Sequence, residues 1–291
     1  MKIVATYSIV ACDLERGEWG IAVQSKFLGV GAVVPWARAG VGAVATQSWA
    51  NTTYGPRGLE MIAEGLSAPE VIERLVADDE HASLRQVGVV DAQGRAAAFT
   101  GEECFEWAGH VVGEHYCAQG NILVGESTVT AMAESFEESE GDLADRLVKA
   151  LAAAQAAGGD RRGQQSAALL VVREGGGYGG FNDRYVDIRV DEHPRPIEEL
   201  ARILRLYRFY FSPSAGELIP IDAELAAELQ LLLAEAGHYH GPVTGEYDLA
   251  TREALRSFGM IENFESRLRD DDMIDSTVLQ FIRERVGRER D

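Results

Sequence analysis

Hydrophobic positions open the chain almost without a break. Residues 3 to 12 (IVATYSIVAC) are apolar or small, DLERGE supplies turn chemistry around Gly17, and WGIAVQSK returns as a second run, so a hairpin is predicted. Side chains alternate faces along a strand, which puts Thr6, Ser8, Val10 and Cys12 on one side and Tyr7, Ile9 and Ala11 on the other. GAVVPW and AGVGAVATQSW read as two further strands. The second of them is a small-residue run suited to cover on both faces.

The period then changes from two to 3.6. Pro56 stands just inside a helix start, followed by Leu59, Ile62, Ala63 and Leu66, and Ser67 with Glu70 forms a capping box ahead of Val71, Ile72, Leu75 and Val76. Strands resume in QVGVVD, RAAAFTG, CFEWAGHVV and HYCAQGNIL. A second helical block runs from about Ser127 to Ala157, broken at Gly141, with Asp142 as N-cap and Leu143, Leu147 and Leu151 in one row. SAALLVV, the glycine-rich turn EGGGYGG and RYVDIRV give the last hairpin, and Pro194 and Pro196 introduce a helix carrying Ile197, Leu200, Ile203 and Leu204. Helices grouped in pairs between hairpins predict an α+β fold, a four-layer α-β-β-α sandwich, over a domain at 1–210. YFSPSAGELIPID reads as a linker. Helical patterns at 222–236, 248–258 and 273–286 then predict a small all-α domain at 220–291 that docks on the main domain or on another subunit, as in a homo-oligomer.

Charge narrows the partners. Lys+Arg 27 against Asp+Glu 47 gives a net charge of −20, which repels phosphate backbones and anionic lipid heads, so neither nucleic acid nor membrane is expected as a partner. Only three lysines occur, Lys2, Lys26 and Lys149. Cys12, Cys104 and Cys117 form no C-x-x-C pair and are expected as reduced thiols. The histidines lack metal-ligand spacing, so no metal and no cofactor is expected. With no leader pattern and no apolar run of membrane length, a cytoplasmic location is expected.

The candidate chemistry sits at strand ends. Thr6, freed by removal of residues 1–5, would use its own amine as base and its hydroxyl as nucleophile; otherwise it is an ordinary strand threonine. Ser25 and Lys26 close the second strand, where a lysine could hold a carboxylate or simply meet solvent. Gln47 and Asn51 could line a polar substrate wall, and the same stretch could cap the following helix. Asn121 offers an oxyanion donor, Gln165 and Ser166 head an apolar strand, and Asp160 with Arg161 and Arg162 could orient substrate or form an ion pair.

TYSIVACDLERGEWGIAVQSKFLGVGAVVPWARAGVGAVATQSWANTTYGPRGLEMI, with QVGVVDAQGRAAAFTG, QGNIL and GGDRRGQQSAALLVV, resembles the family called domain of unknown function 1028, over about residues 5 to 207. That resemblance implies the N-terminal-nucleophile (Ntn) hydrolase sandwich, amide hydrolysis and Thr6 as the corresponding nucleophile. The tail LQLLLAEAGHYHGPVTGEYDLATREALRSFG is similar to peptidoglycan-binding domains, although Gly259 stands where those usually carry Gln. It implies a glycan or protein partner for the C-terminal domain, read here as an intracellular docking module. The expected function is therefore amidohydrolysis of a small polar amide, a small-molecule substrate with a non-peptide or small amide C–N bond. The proposed catalytic set is Thr6, Asn121 and Ser166, with Ser25, Lys26, Gln47, Asn51, Asp160 and Gln165 binding substrate. The alternative is a non-catalytic ligand-binding or scaffold protein that keeps the same fold.

Overall fold

A computed structural model describes residues 6–214 and 216–287. The hairpin opens it as β1 (Thr6–Asp13) and β2 (Glu18–Ser25), followed by β3 (Pro35–Arg38) and β4 (Gly42–Ser48). Helices α1 (Tyr54–Ala63) and α2 (Ala68–Ala77) come next, then β5 (Arg85–Val90), β6 (Ala96–Thr100), β7 (Gly109–Gly113) and β8 (Tyr116–Gly120). The second helical pair is α3 (Ser127–Glu138) and α4 (Leu143–Ala156), followed by β9 (Ser166–Arg173), β10 (Arg184–Val190) and α5 (Pro196–Phe211). The remainder is β11 (Leu218–Pro220), α6 (Ala223–Glu235), α7 (Leu249–Ile261), β12 (Met273–Asp275) and α8 (Ser276–Gly287). Two compact units divide between Ile203 and Leu204, within α5.

In the first unit, six strands in the order β10-β9-β2-β1-β8-β7 and four in the order β3-β4-β5-β6 form two antiparallel sheets. The alternation read from the sequence decides what each face meets. Val10, Cys12, Ile21, Val23, Leu170 and Val172 of the larger sheet share one buried cluster with Ala43 and Ala45 of the smaller. Val44, Val87 and Val89, on the other face of the smaller sheet, pack with Tyr54, Leu59 and Ile62 of α1 and Val71 and Leu75 of α2. Burying each such aliphatic side chain contributes about 1.5–3 kcal/mol. On the opposite face of the larger sheet, Tyr7 donates to Gln155 Oε1 of α4 at 2.9 Å and Tyr116 to Glu137 Oε1 of α3 at 2.6 Å. At Gly20 of β2 a Cβ would lie 2.7 Å from Leu147 Cδ1, so α4 sits against bare backbone there.

Local signals are kept where they are self-contained. The Ser67–Glu70 capping box closes through both hydrogen bonds, and the Asp142 side chain accepts from Asp145 N–H. GAVVPW departs from its expected strand: Val30–Ala32 form a single 3₁₀ turn and pairing begins only at Pro35. The cause is distant in sequence, because the Ser166 hydroxyl accepts from Val30 N–H at 3.1 Å and donates to Phe27 O at 2.5 Å, folding that stretch into a turn.

Gly88 of β5 lies tight against the facing sheet. A Cβ there would lie 2.4 Å from Gln119 Oε1 and 2.8 Å from Cys117 Sγ, both fully buried. Gly88→Ala is expected to cost about 1–3 kcal/mol by overpacking, seen as a lowered urea midpoint; an unchanged midpoint would show that the sheets can part at no cost.

The second unit is helical, with β11 and β12 paired antiparallel. Leu225, Leu229, Leu233, Leu255, Phe258, Val278 and Ile282 form its core, and Phe209 stacks on Phe281 at 4.3 Å. The expected linker is shorter than its composition suggests. Leu206, Phe209 and Tyr210 extend α5 to Phe211 because their side chains pack on this core, and Met273–Asp275 pairs as a strand before α8 begins. Gln230, fully buried, donates to Thr251 Oγ1 and Glu246 O and accepts from the N–H groups of Thr244 and Gly245, pinning the loop ahead of α7.

Candidate functional site

The head of β1 lies in the middle of the larger sheet. Thr6 pairs with Ser25 of β2, and Ser25 pairs with Ser166 of β9, so three hydroxyl residues stand in one row across three strands. Thr6 shares its face with Ser8, Val10 and Cys12, which look toward the smaller sheet, and its Oγ1 donates to Ser25 Oγ at 3.2 Å. All three hydroxyl residues are buried. The removal of residues 1–5 required for nucleophile activation lies outside the described residues.

Around Thr6 the two sheets are joined by amides. Ser8 donates to Gln47 Oε1 of β4 at 2.7 Å and accepts from Gln119 Nε2 of β8 at 2.7 Å. Gln47 Nε2 donates to Gln86 Oε1 of β5 at 2.8 Å and reaches Thr6 O at 3.4 Å, while Asn121 Nδ2 donates to the same Gln86 Oε1 at 2.9 Å. Gln86 Nε2 in turn donates to Gly120 O, Gly109 O and Thr100 Oγ1. Asn121 N–H donates to Thr6 O at 3.0 Å. A buried polar group costs free energy unless it is paired, so this cluster fixes how one sheet sits on the other.

A second ring encloses the same strand head. Lys26 N–H donates to Asp160 Oδ2 at 3.1 Å, Arg161 N–H donates to Ile122 O at 2.9 Å, and Leu123 bridges to Asp160. The buried Asp160 carboxylate also accepts from Arg162 N–H at 2.9 Å and from its guanidinium at 2.8 Å. Beside it, burial and then the charge of Asp160 hold the Tyr7 phenol well above its ordinary range, so it stays protonated. Ile122, next to Asn121, has φ of 52°, and Ser48, next to Gln47, has φ of 66°. Left-handed backbone is costly for a β-branched residue, and such strain gathers where side chains must be aimed.

Thus Thr6, Ser25, Gln47, Asn121, Asp160 and Lys26 are joined around one strand head. Ser166 belongs to the same row, but both of its contacts brace the Phe27–Val30 turn. Gln165 contributes through its backbone, donating N–H to Ser25 O and accepting from His193 N–H. Asn51 is placed apart, donating to Asp79 Oδ2 at 3.0 Å and accepting from Thr53 N–H and Oγ1 ahead of α1. Sequence reading missed Ser8, Gln86 and Gln119. Their signal was present as a glutamine at the head of one apolar strand (QVGVV), another near the end of a second (YCAQG), and an alternation that put Ser8 on the face of Thr6. The thiols are poor nucleophiles at neutral pH: burial, with Asp13 and Asp91 for Cys12, pushes Cys12 and Cys117 up to about 12.

Asp79 organises the loop after β4. Burial alone would raise its pKa, but hydrogen bonds from Arg85, Asn51, His81 N–H and Tyr54 outweigh this and hold it well below the usual carboxylate range. A depressed folded-state pKa adds stability above the unfolded value, near 4, that is lost as pH falls toward the folded value. Asp79→Asn is expected to lower the melting temperature at pH 7 and to flatten its decline between about pH 4 and pH 2; identical pH slopes for variant and parent would exclude this role.

The geometry therefore defines a mixed α+β protein with a helical C-terminal region and a polar strand-head cluster. Residues 6–200 match the family model described as a family of unknown function, DUF1028, and residues 212–282 match one described as a "putative peptidoglycan binding domain". The crystal structure of a DUF1028 protein from Silicibacter pomeroyi, SPO2555, is similar at 32% identity and a TM-score of 0.64, covering 70% of this chain and 89% of that one. The comparison with curated proteins gave no match. The chain belongs to the DUF1028 family. Among the described residues, no helix is long and apolar enough to cross a membrane.

Proposed function

We propose that the first unit is a four-layer α-β-β-α sandwich of the Ntn-hydrolase type and that it hydrolyses a small polar amide, with Thr6 as nucleophile once residues 1–5 are removed. The carrying observation is the placement of Thr6: first residue of a central strand, turned toward the facing sheet, its carbonyl held by Asn121 N–H and its hydroxyl 3.2 Å from Ser25 Oγ. A free α-amine with pKa near 8 would take the Oγ1 proton as the oxygen attacks the substrate carbonyl. The resulting oxyanion would be met by Asn121 Nδ2, which also donates to Gln86 Oε1, or by backbone amides. The C–N bond then breaks, the ammonium proton leaves with the amine, and water hydrolyses the Thr6 ester. Ser166 and Gln165 set the Phe27–Val30 turn and the end of β2; Asn51 holds the loop above α1. Residues 1–210 are read as the reaction domain. Residues 220–291 are read as a docking module toward a glycan or protein partner, in a homo-oligomer.

Intact-mass analysis of protein purified from cells tests the route. Loss of residues 1–5 together with turnover in an amide library is expected; full activity with Met1 retained overturns it. A second reading, a non-catalytic ligand-binding or scaffold protein, is favoured by the complete burial of Thr6. Its signature is ligand-dependent melting shifts with no turnover.

A further inference from the structure

We propose that the rim around the head of β1 recognises a substrate carboxylate through Lys26 and Arg161, which makes the substrate class an anionic amide of the N-acyl amino acid type. The inference rests on the amidohydrolase reading and adds the charge that its substrate must carry. Most arginines of this acidic chain are ion-paired, as Arg57, Arg85, Arg95, Arg173 and Arg184 are. Lys26 and Arg161, like Arg38 and Lys149 elsewhere in the chain, instead rest on backbone carbonyls, and of these four they are the two next to the head of β1. Both are exposed, Lys26 Nζ donates to Gln164 O at 3.1 Å and Arg161 Nη2 to Leu123 O at 3.3 Å, and among the described residues neither meets a carboxylate within ion-pair distance.

Their placement is fixed from below. Lys26 N–H is tied to Asp160 Oδ2, and Arg161 is the next residue after Asp160 and is tied through its N–H to Ile122, beside Asn121. The backbones of both residues thus adjoin one buried carboxylate, Asp160, which is itself ion-paired with Arg162, while their charged ends rest on the carbonyls of Gln164 and Leu123. Glu106 and Asp191 lie on neighbouring segments, exposed to water. A net charge of −20 disfavours multiply charged anions at long range, so a single carboxylate, held by charge-assisted hydrogen bonds at short range, is the group these two residues suit.

The test is calorimetric titration of the full chain with N-acetyl amino acids and their C-terminal carboxamides, matched pairs that differ in one charge. At least one acid is expected to bind about ten-fold or more tightly than its carboxamide, with the ratio shrinking as salt rises from about 0.05 to about 0.5 M. Arg161→Gln and Lys26→Gln, both at exposed positions, are expected to melt like the parent and to bring the ratio close to one. Equal binding of acid and carboxamide, a ratio that survives in both variants, or no binding by any acid overturns the proposal. Turnover is read separately. A binding preference without hydrolysis defeats the amidohydrolase reading alone, and hydrolysis of carboxamides as fast as acids defeats the carboxylate site alone.

Discussion

Thr6→Ala is expected to lower amide turnover by about 10⁴-fold or more, the scale on which removing a covalent nucleophile acts. The fold should survive, because the Thr6 hydroxyl's hydrogen bond to Ser25 Oγ is worth about 1 kcal/mol. Thr6→Ser keeps the oxygen and should retain activity within about ten-fold of the parent. If the α-amine is the base, kcat/KM should rise with pH through about 8, because only the neutral amine accepts the proton. Turnover that persists in Thr6→Ala, in protein whose melting temperature matches the parent, would move the chemistry elsewhere in the cluster.

Gln86→Leu should give the largest loss of stability, about 3–5 kcal/mol. Its side chain accepts from Gln47 and Asn121 and donates to Gly120 O, Gly109 O and Thr100 Oγ1, so one substitution strips partners from groups on both sheets. Leucine matches much of the volume, so the cost arises from desolvated, unpaired amides and carbonyls more than from a void. Urea unfolding measures it directly. A loss below about 1 kcal/mol would mean that the amide cluster rearranges at little cost and does not hold the sheets in register.

What the sequence revealed follows the range over which each signal acts. Strand faces, the Ser67–Glu70 box and the Asp142 cap depend on neighbours within a few positions, and they are found in the structure. The grouping of Thr6, Ser25, Gln47 and Asn121 was legible because all four stand at or near strand ends. Gln86 and Gln119 were not, since a strand glutamine does not announce which residue of another sheet will meet it. Asn51 shows the same limit: its partner Asp79 is 28 positions away, just past the end of α2. GAVVPW has strand composition, and a hydroxyl 136 positions downstream of Val30 folds it into a turn instead. The aromatic end of α5 read as part of a linker because the core it serves is built from later residues.

The central position of β1 has one more consequence. Its first residue is held by Ser25 of β2 on one side, by Asn121 N–H just past β8 on the other and by Gln47 from the facing sheet. Severing the backbone just upstream would therefore expose a reactive amine on a mount whose alignment was completed during folding. On the proposed amidohydrolase reading, the onset of chemistry would then be timed by proteolysis.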